Sequence, residues 1–446
     1  MSIREQLGDF MRSAGADRTL EDMRYQLASL RPAEIASLLE ATPRKVRQLI
    51  WQLVEDEAAP QVLQYLGDDV RGEFLETMDP ARLVAAADSL DTDDFADILQ
   101  QLPDTITRQV LASMDARDRA RLEAVLPYPE DSAGGLMNTD TITVRPRHSL
   151  ELVLRYLRRQ NALPDGTDAL VVVSTRDEYV GMLPLSKLLT TDPTVTVREV
   201  MNTDVEAIPV TTSDTEVARI FAEQDLISAP VVDASGKLLG RITIDDVVDV
   251  IIDDADETVL ARAGLDVDDD TFAPVLKSAR RRAVWLGINL VTALLAAAVI
   301  NVFEETIAKV VALAILMPIV ASMGGIAGTQ TLTLVIRGIA VGQIARANLL
   351  WLLHREVVVA MLNGLLWASL VAIGTALIFQ DALLGGLIAT GLVVNMLIAA
   401  ISGTVLPSLL SSMRIDPAIA GGVVLTTITD VAGFFVFLGL ATLAYA

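Results

Sequence analysis

The chain has 446 residues, 52% of them hydrophobic, and a formal net charge of −23 from 58 acidic and 35 basic side chains; that length and polarity do not suit one compact soluble body. So acidic a surface repels nucleic acid and attracts cations. With no cysteine and only His148 and His354, disulfide, zinc–thiolate and histidine-cluster chemistry are excluded within one subunit.

The apolar and acidic characters separate along the chain. From Lys277 onward there are nine Lys/Arg and six Asp/Glu, leaving 26 of the basic and 52 of the acidic residues in positions 1–276. An acidic soluble part thus precedes a nearly neutral membrane part. The charged, helically patterned N-terminus does not read as a signal peptide, so the soluble part is expected in the cytosol.

Residues 20–126 repeat with a period of 24: Leu39-Glu-Ala-Thr-Pro43, Leu63-Gln-Tyr-Leu-Gly67, Ala87-Asp-Ser-Leu-Asp91 and Leu111-Ala-Ser-Met-Asp115, with Pro32 and Pro80 two periods apart. Apolar residues recur at helical spacing inside each unit, which predicts a small α-solenoid; the alternative is a generic helical bundle. No catalytic group stands out. Asp68, Asp69, Asp91, Asp93, Asp94 and Asp97 read as a solvated face that could help bind a cation at a domain contact.

A second repeat follows. Met137-Asn-Thr-Asp140 recurs as Met201-Asn-Thr-Asp204, 64 residues on. After each come a short strand, an amphipathic helix (149–160, 215–224), a β-branched strand (169–173, 230–232), a strand around Gly181 or Gly240 and a closing helix. This layout resembles a pair of cystathionine β-synthase (CBS) domains, modules that sense nucleotides or ions. Thr243 and Asp246 match that family's ribose-contacting Thr-x-x-Asp, whereas the first copy has Pro184 and Lys187 there. The pair therefore offers at most one ATP-type site, the alternative being a purely structural pair. Beyond it, Asp245, Asp249, Asp253 and Asp256 fall on one face of a helix, where like charges repel. A hard, oxygen-ligated ion such as Mg²⁺ or Ca²⁺ would relieve that repulsion; a solvated acidic helix is the plainer reading.

A linker over 258–282, interrupted by Gly264 and an acidic loop at 266–270, ends in Lys277, Arg280, Arg281 and Arg282. Five runs follow that are uncharged except for one residue: 284–303, 310–336, 357–380, 382–413 and 417–446. Each is long enough to cross a bilayer as a helix. Arg337, Arg346, Arg355 and Arg414 lie on the same side as 277–282, which places the N-terminus inside and, after five crossings, the C-terminus outside. The exception is Asp430. A carboxylate at mid-membrane costs on the order of 3 kcal/mol and marks an ion path far more often than a packing contact. Met317-Pro318 and Gly324-Gly-Ile-Ala-Gly328-Thr-Gln330 in the second run, and Asn395, Gly403 and Pro407 in the fourth, suggest irregular backbone lining a cavity; the alternative for the glycines is tight helix packing.

Taken in order, these pieces resemble the MgtE family of magnesium channels: the helical repeats, Pro129-Glu-Asp-Ser-Ala-Gly134, the CBS pair with its acidic exit helix, the glycine-rich second span, Arg337-Gly338, Asp416-Pro417-Ala418 and Thr426-Thr-x-Thr-Asp430. The resemblance implies five transmembrane helices in a multi-pass plasma-membrane protein, behind a cytosolic all-α superhelical repeat domain (1–129) and an α/β CBS pair (130–194 and 195–257). A connecting plug helix (258–282) leads to the pore domain (283–446). It implies a homodimer, with the pore on the two-fold axis between second and fifth spans. The filter carboxylate falls on Asp430 and a backbone carbonyl ligand on Thr426. Regulatory Mg²⁺ would bind between acidic faces at Asp225, Asp246, Asp249, Asp254 and Glu257; Thr258 replaces an acid common there. Ile326 stands where the family usually has Asn, and Gly422-Val423 where Gly-Pro is common. The function implied is Mg²⁺ uptake gated by cytosolic Mg²⁺. The alternatives are exchange of a divalent cation for Na⁺ or H⁺, which broken helices and a buried acid also suit, and a membrane-anchored sensor. No nucleophile–base pair or phosphate-binding loop points to an enzyme.

Overall fold

The computed structural model describes residues 20–76, 78–79, 82–84, 90–160, 162–164, 166–261, 271–340, 343–344, 348–413 and 415–445. The chain divides into two compact units, 1–256 with 267–274, and 257–266 with 275–446. The repeat residues 80 and 87–89, the acidic loop 266–270, Arg346 and Arg414 lie outside the described residues.

The first unit opens with short helices: α1 (Leu20–Ala28), α2 (Pro32–Glu40), α3 (Arg44–Trp51), α4 (Ala59–Gln64), α5 (Asp68–Leu75), α6 (Thr92–Gln100), α7 (Asp104–Ser113) and α8 (Ala116–Val125). The period of 24 has a direct meaning here. Pro43, Gly67, Asp91 and Asp115 are the N-caps of α3, α5, α6 and α8, and all four hold extended backbone with ψ between 148° and 164°. Each repeat thus restarts a helix at the same register. Asp115 also accepts from the N–H groups of Arg117 and Asp118, satisfying donors that a helix start leaves free. The apolar faces of these helices merge with the second half of the CBS pair into one core, from Leu39, Phe74, Phe95 and Leu99 to Val217, Phe221 and Ile242.

The CBS pair consists of β1 (Thr143–Val144), α9 (Leu150–Leu157), β2 (Ala169–Val173), β3 (Tyr179–Pro184), α10 (Leu185–Thr190) and α11 (Val197–Val200), then β4 (Ile208–Pro209), α12 (Asp214–Gln224), β5 (Ser228–Val232), β6 (Leu238–Thr243) and α13 (Ile244–Ala261). Two three-stranded sheets, β1-β2-β3 and β4-β5-β6, have the same order and directions. The repeated Met-Asn-Thr-Asp segments cross between the halves. Asn138 pairs with Arg241 on β6, and Asn202 pairs with Met182 on β3. That crossing explains Gly181 and Gly240: a Cβ would stand 2.6 Å from the carbonyl of Asn202 and 2.7 Å from that of Asn138.

The second unit contains α14 (Val275–Val302), α15 (Glu304–Lys309), α16 (Ala312–Ala340), α17 (Leu349–Phe379), α18 (Ala382–Ser412) and α19 (Pro417–Ala444). Five of these, all but α15, are long and apolar enough to cross a membrane. In chain order they are spans 1 to 5. Span 4 is the centre, with 56% of its apolar window buried, and span 1 is peripheral, with 6%. Ile388, Phe437, Leu438 and Val320 are fully buried where spans 2, 4 and 5 meet.

In the connecting segment 258–282, α13 runs on to Ala261 and Lys277–Arg282 fall in the opening turns of span 1. Spans 2 and 4 are not irregular; both are continuous helices, through Pro318 and Gly324–Gly328 and through Pro407. Gly324, Gly328 and Gly403 serve close packing instead: a Cβ at Gly403 would lie 2.9 Å from the backbone oxygen of Gly328. Glu356 lies in α17, 6% exposed, beside the Arg355 guanidinium at 2.7 Å and accepting from the Thr331 hydroxyl of span 2 at 3.3 Å.

Candidate functional site

The membrane carboxylate comes first. Asp430 sits mid-way along α19, half-buried, and Thr426 one turn earlier is exposed. Four residues apart, they share a face of the helix. The hydroxyls of Thr426 and Thr427 are turned back to their own helix, donating to the carbonyls of Gly422 (2.9 Å) and Val423 (2.7 Å). Thr429 donates to the Thr426 carbonyl at 3.0 Å. These bonds satisfy the hydroxyls locally and leave the carboxylate of Asp430 as the strong acceptor on this stretch. No basic side chain among the described residues forms an ion pair with it. Ile326, in span 2, lines a cavity of about 640 Å³ shared with Trp367, Arg355 and Asn363 of span 3.

The second candidate lies in the first unit, where α6 meets the start of α13. Thr243, at the end of β6, is buried, and its N–H and hydroxyl both donate to one oxygen of Asp246, at 3.2 and 2.9 Å. The two residues matching a ribose motif are thus bonded to each other. Asp246 is pushed up to about 7, mainly by burial and next by the Asp245 charge, against the lowering effect of the two Thr243 hydrogen bonds. Its neighbours across the contact are acids of the helical repeats. Asp94 is raised to about 8 by burial and then by Asp246. Asp97 is raised to about 7 by burial and then by Glu130. Asp93 is raised well above the carboxylate range by burial and then by Asp246. Asp93 is 5% exposed and its Oδ1 has no hydrogen-bond partner, nor has Oδ1 of Asp97. Oxygen atoms of Asp91, Asp93 and Asp94 come within 4.8 Å of one another. A divalent cation fits this donor set: several carboxylates, oxygen only, with buried lone pairs unused.

The remaining acids expected as ligands are distributed more loosely. Asp249 is raised by partial burial first and then by Asp253 and Asp245. Asp253, outside the expected ligand set, is raised by burial and then by Asp256, with Asp68 of α5 a further contributor. Asp254 and Glu257 are exposed on α13. Asp225 is the C-cap of α12, exposed, with φ 52° and ψ 44°; an Asp tolerates that left-handed backbone, so this residue has a local reason to be acidic. The face of α13 turned to the repeats therefore runs through Asp246 and Asp253, seven residues apart, rather than through Asp245 and Asp256. In the sequence Asp91, Asp93, Asp94 and Asp97 read as a solvated acidic face that could help bind a cation at a domain contact. The burial of Asp93 and the partial burial of Asp94 and Asp97 are the informative property, and that is a tertiary one.

Comparison with known proteins agrees with this layout. Residues 317–440 match a family model described as a divalent cation transporter. Residues 30–131 match the MgtE intracellular N domain, and 133–192 and 197–253 each match a CBS domain. The magnesium transporter MgtE of Thermus thermophilus is 32% identical over 450 residues, covering 99% of each chain. That of Bacillus subtilis is 29% identical over 428 residues, covering 96% of this chain and 94% of the relative. Among solved structures, the cytosolic domain of the Mg²⁺ channel MgtE in complex with ATP is 35% identical, covers 51% of this chain and 93% of that one, and superposes with a TM-score of 0.47. By full-length identity to the Thermus protein, together with the matches of all its parts, the chain belongs to the MgtE family.

Proposed function

We propose that the chain is a Mg²⁺ channel that admits the ion to the cytosol and closes when cytosolic Mg²⁺ is high. The observation that carries the reading is a carboxylate at mid-span, Asp430, with no basic partner among the described residues. Lipid would penalise such a group; an ion path employs it. Two copies related by a two-fold axis would supply two Asp430 side chains from one chain sequence. Mg²⁺ gives up water reluctantly, so such a pair would hold it through its hydration shell, with the Thr426 carbonyl one turn away as a further acceptor in competition with the Thr429 hydroxyl. A negative cell interior drives a divalent ion inward by about 4.6 kcal/mol per 100 mV. In this reading the N-terminus is cytoplasmic and the C-terminus outside.

Closure follows from linkage. The acids of α6 and α13 repel when both faces are ionised, and Mg²⁺ between them favours their close approach. A ligand shifts such an equilibrium only by its differential affinity for the two states. A near-complete switch needs about 5.5 kcal/mol, within reach of several ions acting together. We assign the regulatory ions to Asp91, Asp93, Asp94 and Asp246, with Asp225, Asp249, Asp254 and Glu257 as further acids. Nucleotide such as ATP at Thr243 and Asp246 would have to compete with the hydrogen bonds these two residues already make to each other.

Flux into liposomes, with each divalent ion in turn, tests the reading. Wild-type protein should pass Mg²⁺ and Asp430→Ala should not. Single-channel currents separate a channel from an exchanger, and Mg²⁺ flux that stays coupled to a Na⁺ or H⁺ gradient would replace this proposal with the exchanger.

A further inference from the structure

Among the described residues of the membrane unit, one amide is fully buried. Asn395 lies near the middle of span 4 and is 0% exposed. A polar side chain at that depth is costly unless it is bonded. Its Nδ2 donates to the carbonyl of Val320 in span 2, at 2.9 Å. Its Oδ1 is buried with no hydrogen-bond partner.

Two glycines on different helices make room for this one side chain. A methyl at Gly324 in span 2 would collide with Nδ2 of Asn395, and a Cβ at Gly433 in span 5 would stand 2.6 Å from the same atom. Gly324 follows Val320 by one helical turn, and Gly433 follows Asp430 by three residues. The amide therefore lies between the helix that carries the membrane carboxylate and the glycine-rich helix opposite. It is bonded to one and packed against the other.

We infer that Asn395 is the positioning residue for ion selection: it sets the separation of spans 2 and 5, and through it the placement of Asp430. The inference rests on the proposed channel reading, with Asp430 in the pore. The mechanism is steric and directional. The Nδ2 bond fixes span 4 to one carbonyl of span 2, and the amide's bulk keeps span 5 at a set distance from both.

The test combines substitution with reversal potentials under opposed Mg²⁺ and Na⁺ gradients, recorded from full-length protein in bilayers. Asn395→Leu keeps the volume and removes the amide. It should assemble and elute as wild type while its preference for Mg²⁺ falls about tenfold, the equilibrium change that one such hydrogen bond is worth. Gly433→Ala should lose preference likewise, because its methyl meets the amide. Asn395→Ala combined with Gly433→Ala should lose no more preference than Asn395→Ala alone, because the methyl takes vacated space. An unchanged reversal potential in Asn395→Leu overturns the inference. So do independent, additive effects of Asn395→Ala and Gly433→Ala, which decide the matter if the leucine variant does not fold. Asp430→Ala run in parallel separates the two levels. Flux through that variant at the wild-type rate removes the channel reading itself; silence there with no coupling at Asn395 removes only this inference.

Discussion

Asp430 and Asp93 are both acids held away from bulk water, and they make opposite demands. In the proposed channel Asp430 has to stay available to a passing ion, so its value there lies in having no strong partner among the described residues. Asparagine there keeps the shape and removes the charge. Asp430→Asn is expected to lower Mg²⁺ flux by about two orders of magnitude, because charged side chains are the usual determinant of cation selection; liposome flux checks this. Asp93 is buried among acids with one oxygen unpaired, so in the absence of a cation it is a liability. Asp93→Asn should raise the melting midpoint of the protein in chelator by a few degrees, the shift that about 1 kcal/mol produces. It should also blunt the further rise on adding Mg²⁺. Thermal melts with and without the ion measure both. A midpoint lowered in chelator would mean that Asp93 is already stabilised by other contacts.

At the scale of elements, glycine does different work in helices that look alike in sequence. Gly403 faces the Gly328 carbonyl across spans 4 and 2, whereas nothing lies within 4 Å of a Cβ at Gly374 in span 3. Gly403→Ala is therefore expected to destabilise the membrane unit by about 1–3 kcal/mol through overpacking. Gly374→Ala should be neutral or slightly stabilising, as alanine is the better helix former. Thermal stability in detergent distinguishes the two. The span boundaries were legible from uncharged runs, and the helices extend past them where the opening turns of spans 1 and 3 carry Lys, Arg and Glu356. Breaks at Pro318 and Gly324 were not a safe inference. Within a span, Gly and Pro signal either an opened backbone or a close neighbour, and only the neighbour's position tells which.

For the whole molecule, the raised carboxylates make the contact between α6 and α13 sensitive to pH. In the folded chain Asp94 titrates near 8 and Asp97 and Asp246 near 7, against an ordinary 3.8. Folded protein therefore binds more protons than unfolded between about pH 4 and 8, and stability falls as pH rises through that window. In chelator, protease resistance of the junction between the helical repeats and the CBS pair should drop between pH 5.5 and 8.5. Saturating Mg²⁺ should flatten the dependence, since the ion replaces the protons. A flat profile in chelator would show that these carboxylates are not buried against one another.

Much of the architecture was determined by sequence alone, because it rests on local and periodic chemistry. Five apolar runs must become membrane helices to satisfy their own backbone. A period of 24 restarts a helix at Pro43, Gly67, Asp91 and Asp115, and a duplicated Met-Asn-Thr-Asp marks two equal α/β halves. Asp430 stood out because a carboxylate in an apolar run needs a reason wherever the helix packs. Tertiary structure alone decided which acids meet, that Glu356 is buried against Thr331, and that Asn395 fills the space left by Gly324 and Gly433. Each of these depends on desolvation and close approach between residues tens of positions apart, and an acid on a helix has the same sequence signature whether water or another acid faces it.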